Sequence, residues 1–242
     1  NTLLDQYAAP SVVDWMIKTK NWKNMAIVTT GNIGYSTALT PVFKTAIQAK
    51  GGNIVKEESI NEGETDFTAQ VTNIKQANPD VIVFTGYYKE AALFMLAAQS
   101  QGLNIPMVGG DGLYGSDLAK IGGSAVEEKV ILYCGFSADQ PTPETDAFVK
   151  AYRAKYNEDP DMFSAQYYDA VMIIAQAMEK AKSSDPKVFK AELAKLTDYP
   201  GVSGKTTFQP NREPFKTPVF LVTVKGGKFP VLVDKVPTST PQ

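Results

Sequence analysis

Through its first 135 residues the chain alternates short β-branched runs with longer stretches whose apolar residues recur every three or four positions. That alternation admits few folds. A strand, a helix and a second strand make a crossover, and repeated crossovers build a parallel sheet covered on both faces. Five strands are expected, at 25–30 (MAIVTT), 53–59 (NIVKEES), 81–86 (VIVFTG), 106–111 (PMVGGD) and 130–136 (VILYCGF). Between the first two, Leu39, Val42, Phe43, Ala46 and Ile47 mark one helical face, with Ser36 expected as N-cap and Gly51-Gly52 as the stop. Similar patterns predict helices over about 66–77 and 89–101, and a leading helix over 11–19 with Ser11 and Asp14 as a capping box.

From Ser137 the texture changes. A turn-rich segment, DQPTPET, precedes two long helical patterns at about 144–156 and 163–181 and a shorter one at 186–196, with no strand between them. A Gly/Pro-punctuated connection (YPGVSGKTTFQPNREPF) then leads to PVFLVTV and KFPVLVD, which Gly226-Gly227 joins as a β-hairpin. The helices carry apolar residues, Val171, Ile174 and Met178 with Phe148, Tyr152 and Tyr156, yet have no sheet of their own to cover. Such a face must be buried against something. Either it packs on the far side of the first sheet, or its strands lie outside this chain.

Composition narrows the chemistry. With no histidine among 242 residues, a Ser-His-Asp or Cys-His nucleophile, a His-based zinc site and a histidine general base are all excluded. The 24 basic and 26 acidic residues are interspersed, so nothing attracts nucleic acid or an anionic membrane. Cys134, the only cysteine, makes no internal disulfide and leaves the compartment open. No apolar run reaches membrane-spanning length, and the first residues lack signal-peptide character, so an export signal is expected to have been removed or to lie upstream.

In open α/β sheets, ligands bind beyond the carboxyl ends of the strands, near the point where strand order reverses. Three exits carry candidate side chains: GNIGYS offers Tyr35 and Ser36, TGYYKE offers Tyr87 and Tyr88, and GGDG offers Asp111. With strand order 2-1-3-4-5 these exits share one rim. Each also has a structural reading, packing for the tyrosines and a turn for Asp111. GNIGYS lacks the third glycine of a dinucleotide fingerprint, and no metal-spaced cluster is present, so no cofactor and no catalytic residue is expected.

These segments, read in order as DQYAAPSVVDWMI, KNMAIVTTGNIGYSTALTPVFKTAIQAKGGNIV, DFTAQVTNIKQANPDVIVFTGYYKEAALFMLAAQSQGLNIPMVGGDG and FSAQYYDAVMIIAQAM, resemble the leucine/isoleucine/valine-binding family of type I periplasmic binding proteins. The resemblance implies an α/β fold built on a flavodoxin-like or Rossmann-like parallel sheet, with helices from the other lobe. It implies one lobe from 6–136 plus 216–240, and a mostly helical remainder of the first lobe from 137–215. It matches Tyr35 to an aromatic facing the ligand, Tyr87 to the tyrosine at the third strand's exit, Asp111 to the acid that takes the ligand's ammonium, and Phe163 to an aromatic wall. Asp111 departs from the longer Glu of branched-chain amino-acid binders. Members begin with a further third, which supplies most of the first lobe. The implied function is extracytoplasmic binding of an amino acid or similar small polar solute for an ABC importer, without catalysis. Its expected partners are the solute, the membrane permease, and an N-terminal lobe segment or second chain. The expected location is periplasmic or extracellular, with lipid anchoring through a preceding segment as one arrangement. A ligand-sensing domain of a receptor, like the amide sensors, is the alternative; a Rossmann-like enzyme is disfavoured by the missing histidine and phosphate loop.

Overall fold

The computed structural model describes residues 2–139 and 142–239. Gln140 and Pro141 of the turn-rich segment, and Thr240 at the end of the last expected lobe segment, lie outside the described residues. The leading helix α1 runs from Asp5 to Lys20 and passes through Pro10, six residues before the expected start. Proline inside a helix removes one hydrogen bond, which argues for a break. Here burial wins, because Tyr7, Ala8, Ala9, Val12, Val13, Trp15 and Met16 are all inaccessible and each large apolar side chain gains about 1.5–3 kcal/mol on burial. Ser11 is therefore no N-cap. Its hydroxyl lies inside the helix and donates to the carbonyl of Tyr7 at 2.9 Å.

Strand β1 (Asn24–Thr30), helix α2 (Gly34–Ala49), β2 (Asn53–Ile60), α3 (Thr68–Ala77), β3 (Val81–Phe84), α4 (Tyr88–Ser100), β4 (Met107–Gly109), the short α5 (Asp117–Gly122) and β5 (Val130–Cys134) follow in strict alternation. The five strands pair in parallel in the order β2-β1-β3-β4-β5. The hairpin of β9 (Val219–Lys225) and β10 (Lys228–Val236) extends this sheet to seven strands, with β9 antiparallel to β5. Gly226 and Gly227 both have positive φ, as a tight two-residue hairpin turn demands.

The central strands are buried on both sides, so alternate residues enter two separate cores. Ala26, Val28, Ile82 and Phe84 pack with Phe67, Val71, Ile74 and Phe94 on one face. Met25, Ile27, Val81 and Val83 pack with Val12, Met16, Leu39, Phe43 and Ile47 on the other.

Residues 143–217 form α6 (Pro143–Tyr156), α7 (Met162–Ala181), α8 (Pro186–Leu193) and a separate antiparallel sheet of β6 (Tyr199–Gly201), β7 (Gly204–Phe208) and β8 (Pro214–Thr217). The Gly/Pro-punctuated connection thus carries three short strands that sequence periodicity does not reveal. Asp169 on α7 ties them down by accepting the backbone N–H groups of Val202 and Ser203, both at 2.8 Å, and the Ser203 hydroxyl. Buried Lys216 donates to Ser203 Oγ and Thr206 Oγ1, both at 2.9 Å. The inward face of α7 is Ala165, Gln166, Asp169, Ile173 and Ala177. Its opposite face is left open, with Tyr167 73% and Val171 65% exposed beside Ile174.

Candidate functional site

The carboxyl ends of β1 and β3 are locked together by hydroxyls. Ser36 Oγ accepts the N–H of Thr30 at 2.7 Å and bonds Thr85 Oγ1 at 2.9 Å. Thr40 Oγ1 bonds both Thr85 and Thr29. Ser36 consequently sits in the first turn of α2 rather than at its N-cap, which is Ile33. The hydroxyl ladder fixes the helix start, and with it the neighbouring Tyr35.

Tyr35 is the hub of the rim. Its ring stacks on Tyr87, centroids 5.4 Å apart and planes inclined by 14°. Its hydroxyl donates to Oδ1 of Asp111 at 3.2 Å and accepts the N–H of Gly112 at 3.2 Å. Asp111 opens a single 3-10 turn immediately after β4. Glycine is required on both sides of it: a Cβ at Gly112 would come within 2.6 Å of the Tyr35 ring and 2.9 Å of the Gly86 carbonyl, and one at Gly110 would meet both the Tyr35 and Tyr133 hydroxyls. The exits of β1, β3 and β4 therefore converge, as their shared rim position implied.

A second carboxylate lies behind this cluster. Tyr133 on β5 donates to Asp5 Oδ1 at 2.5 Å, and Asp5 opens α1. Burial raises the Asp5 carboxyl, against the Tyr133 hydrogen bond. Burial first, and the charge of Asp5 second, push Asp111 up to about 6, with the Tyr35 hydrogen bond opposing. Tyr35 and Tyr133 are raised by the same causes, burial ahead of the two carboxylates, and both remain neutral donors. Asp5 escaped the sequence reading because Pro10 hid the helix that presents it.

Glu64 was also missed. It follows β2 in a loop held to the rim by two bonds, Glu62 N–H to Asn32 Oδ1 at 2.8 Å and Gly63 N–H to the buried Glu90 carboxylate at 3.1 Å. Asn61 Nδ2 donates to Glu64 Oε1 at 2.7 Å, while Oε2 is buried with no hydrogen-bond partner among the described residues. A carboxylate oxygen removed from water without a donor is costly. The acid-rich NEGETD motif after an edge strand resembles an ordinary solvated loop, which is why sequence alone passed over it.

Phe163, at the start of α7, does not join the Tyr35–Tyr87 stack. Its ring packs edge-on against Tyr114, 6.1 Å between centroids, and 47% of the residue stays exposed. Tyr114 lies three residues beyond Asp111 and links that turn to α7. Among the described residues no cluster of three or more metal-ligating side chains occurs, and no helix is long and apolar enough to cross a membrane.

A periplasmic binding protein family model matches residues 4–228. The chain belongs to that family. The leucine-, isoleucine-, valine-, threonine- and alanine-binding protein of Pseudomonas aeruginosa is 31% identical over 169 residues, covering 69% of this chain and 44% of that protein. The Leu/Ile/Val-binding protein homolog 1 of Brucella abortus is 29% identical, covering 74% of this chain and 48% of its own length. The binding-protein chain thus spans about half the length of these curated relatives. In structure it resembles a leucine-binding protein from Thermotoga maritima (TM-score 0.88, 28% identity, covering 98% of this chain and 67% of that one). It also resembles a branched-chain amino acid transporter substrate-binding protein from Streptococcus pneumoniae, solved with isoleucine (TM-score 0.84, 29% identity, 98% and 66% covered). The periplasmic-binding-protein fold expected from sequence, with its mostly parallel sheet, is the one observed.

Proposed function

We propose that this chain is the larger part of the solute-binding component of an ABC importer, acting outside the cytoplasm on an amino acid or similar small polar solute. The observation that carries the reading is the convergence of Asp111 with the Tyr35–Tyr87 stack where β1, β3 and β4 end. Asp111, which the family resemblance matches to the acid that takes the ligand's ammonium, receives the solute's α-ammonium through a charge-assisted hydrogen bond, and Glu64 Oε2 is a second acceptor on the rim. Stacked tyrosines offer a wall for the rest of the solute, and Phe163 extends the wall along α7. Nothing in this chemistry needs a catalytic base.

Residues 6–136 and 216–240 make one lobe in this reading, and 137–215 belong to the other. The open face of α7, with Tyr167, Val171 and Ile174, is then covered by first-lobe strands supplied from outside residues 1–242, consistent with the longer chains of the relatives. A membrane permease is the transport partner. The full-length protein tested by thermal shift against all common amino acids should gain stability with one chemical group of them, following RT ln(1 + [L]/Kd). A folded full-length protein whose melting temperature no amino acid moves would refute the reading.

A further inference from the structure

Resting on the proposed amino-acid site, we infer that Asp5, bonded to Tyr133 behind the rim, is a positioning residue for solute capture, holding the turn that carries Asp111 and adding its negative charge to that turn. Asp111 is gripped from two sides. On one, the Tyr35 hydroxyl bonds Asp111 Oδ1 and the N–H of Gly112. On the other stands the Tyr133 hydroxyl, 2.9 Å from where a Cβ on Gly110 would lie, with the Tyr35 hydroxyl 2.4 Å from the same point. Both phenols therefore abut the residue immediately before Asp111. Tyr133 is completely buried, and its hydroxyl is aimed by Asp5 Oδ1 at 2.5 Å. Without that acceptor the hydroxyl would be left buried and unpaired, which is costly.

The charge of Asp5 does more than receive this bond, since an amide oxygen would accept from Tyr133 as well. Asp5 opens the 16-residue α1, whose N-terminal dipole favours an anion. Among the described residues no Lys or Arg forms an ion pair with Asp5 or Asp111. The other groups facing Asp111 are the neutral phenols of Tyr35 on α2 and Tyr133 on β5 and the neutral thiol of Cys134 on β5, with Tyr87 stacked on Tyr35. The field of Asp5 thus reaches Asp111 with no countercharge between them, and after burial it is the main reason that Asp111 holds a proton up to about pH 6. A proton and an α-ammonium are both cations received by one carboxylate, so the field that tightens its hold on the first tightens its hold on the second. Below about pH 6 the two compete, and solute capture there releases the proton.

Titration calorimetry of the full-length protein tests this, using whichever of the twenty common L-amino acids most raises its melting temperature. Affinity should be level above about pH 7 and fall toward tenfold per pH unit below about pH 6, with about half a proton released on binding at pH 6. Asp5→Asn keeps an acceptor for Tyr133; it should weaken binding about threefold or more at pH 7.5 and move the acid limb to lower pH. Tyr133→Phe removes the donor that favours the charged form of Asp5, so it should move the limb the same way, and it decides the matter if Asp5→Asn does not fold. Unchanged affinity and proton release in the folded variants would overturn the inference, and so would weaker binding with the acid limb left in place, the mark of a merely structural role; either result leaves the amino-acid site standing. If none of the twenty binds a protein that circular dichroism shows to be folded, the underlying reading fails instead.

Discussion

The phenol of Tyr35 and the carboxylate of Asp111, 76 positions apart in sequence, meet across the sheet at 3.2 Å. Asp111 is raised to about 6 because it is buried and faces Asp5, and the bond from Tyr35 only partly offsets this. A carboxyl raised in the folded state binds its proton more tightly there than in the unfolded chain, so stability is lost as pH rises from the ordinary value of 3.8 toward about 6. Asp111→Asn removes that loss. In the ligand-free protein it should raise stability by about 3 kcal/mol near pH 7.5, and by only about 0.5 kcal/mol near pH 4. Denaturant melts at the two pH values check it; a variant less stable at the higher pH would show that the carboxylate is structural.

Asp5 contributes its charge to the same shift. Asp5→Asn should therefore lower the midpoint of Asp111, measurable by carboxyl-detected NMR titration. A midpoint that stays put would leave burial as the whole cause.

Glu64→Gln keeps the shape of the side chain and its contact with Asn61 while removing the charge. Solute affinity should fall about tenfold or more, because a charge-assisted bond is worth about 1.5–3 kcal/mol. Thermal stability without solute should not fall, since Oε2 has no partner to lose. Loss of stability with affinity intact would make Glu64 a loop-holding residue.

Much of this geometry was legible beforehand. The strands were legible in the periodicities, and taking the usual order 2-1-3-4-5 of such sheets put Tyr35, Tyr87 and Asp111 on one rim, where they meet. What escaped had physical reasons. Pro10 reads as a helix stop, yet the buried face of Tyr7, Val12 and Met16 outweighs one missing hydrogen bond and carries α1 back to Asp5. The strands of the small sheet span three to five residues, too short for alternation to register, and what holds them is remote, the Asp169 carboxylate on α7. Ser36 looked like a cap because its hydroxyl precedes an apolar helix; it spends that hydroxyl on Thr30 and Thr85 instead. The expected stripe of Val171 and Ile174 is the face α7 turns outward, while Ile173 and Ala177 face in.

Lys216 gives an independent pH signature. Burial lowers it from 10.5 to about 8, against the attraction of Asp169. Between about pH 8 and 10.5 the unfolded chain holds a proton that the folded protein has released, so this group makes stability rise with pH across that window. The rise should be absent in Lys216→Met, visible as the difference between the two pH–stability curves. Parallel curves would mean that Lys216 stays charged in the fold.

On residues 1–242 alone, Tyr167 and Val171 are exposed, and surface substitutions there should cost no more than about 0.5 kcal/mol. If first-lobe strands cover them, Val171→Asp in the full-length protein should cost several times that and lower the melting temperature by several degrees. A neutral result would leave the face in solvent.

The crystal structure of the full-length protein with its bound amino acid tests the account most directly. The solute's α-ammonium should lie within hydrogen-bonding distance of the Asp111 carboxylate, and its chain should run along Tyr35 and Tyr87. A solute seated away from the carboxyl ends of β1, β3 and β4, with its ammonium out of reach of Asp111, would contradict it.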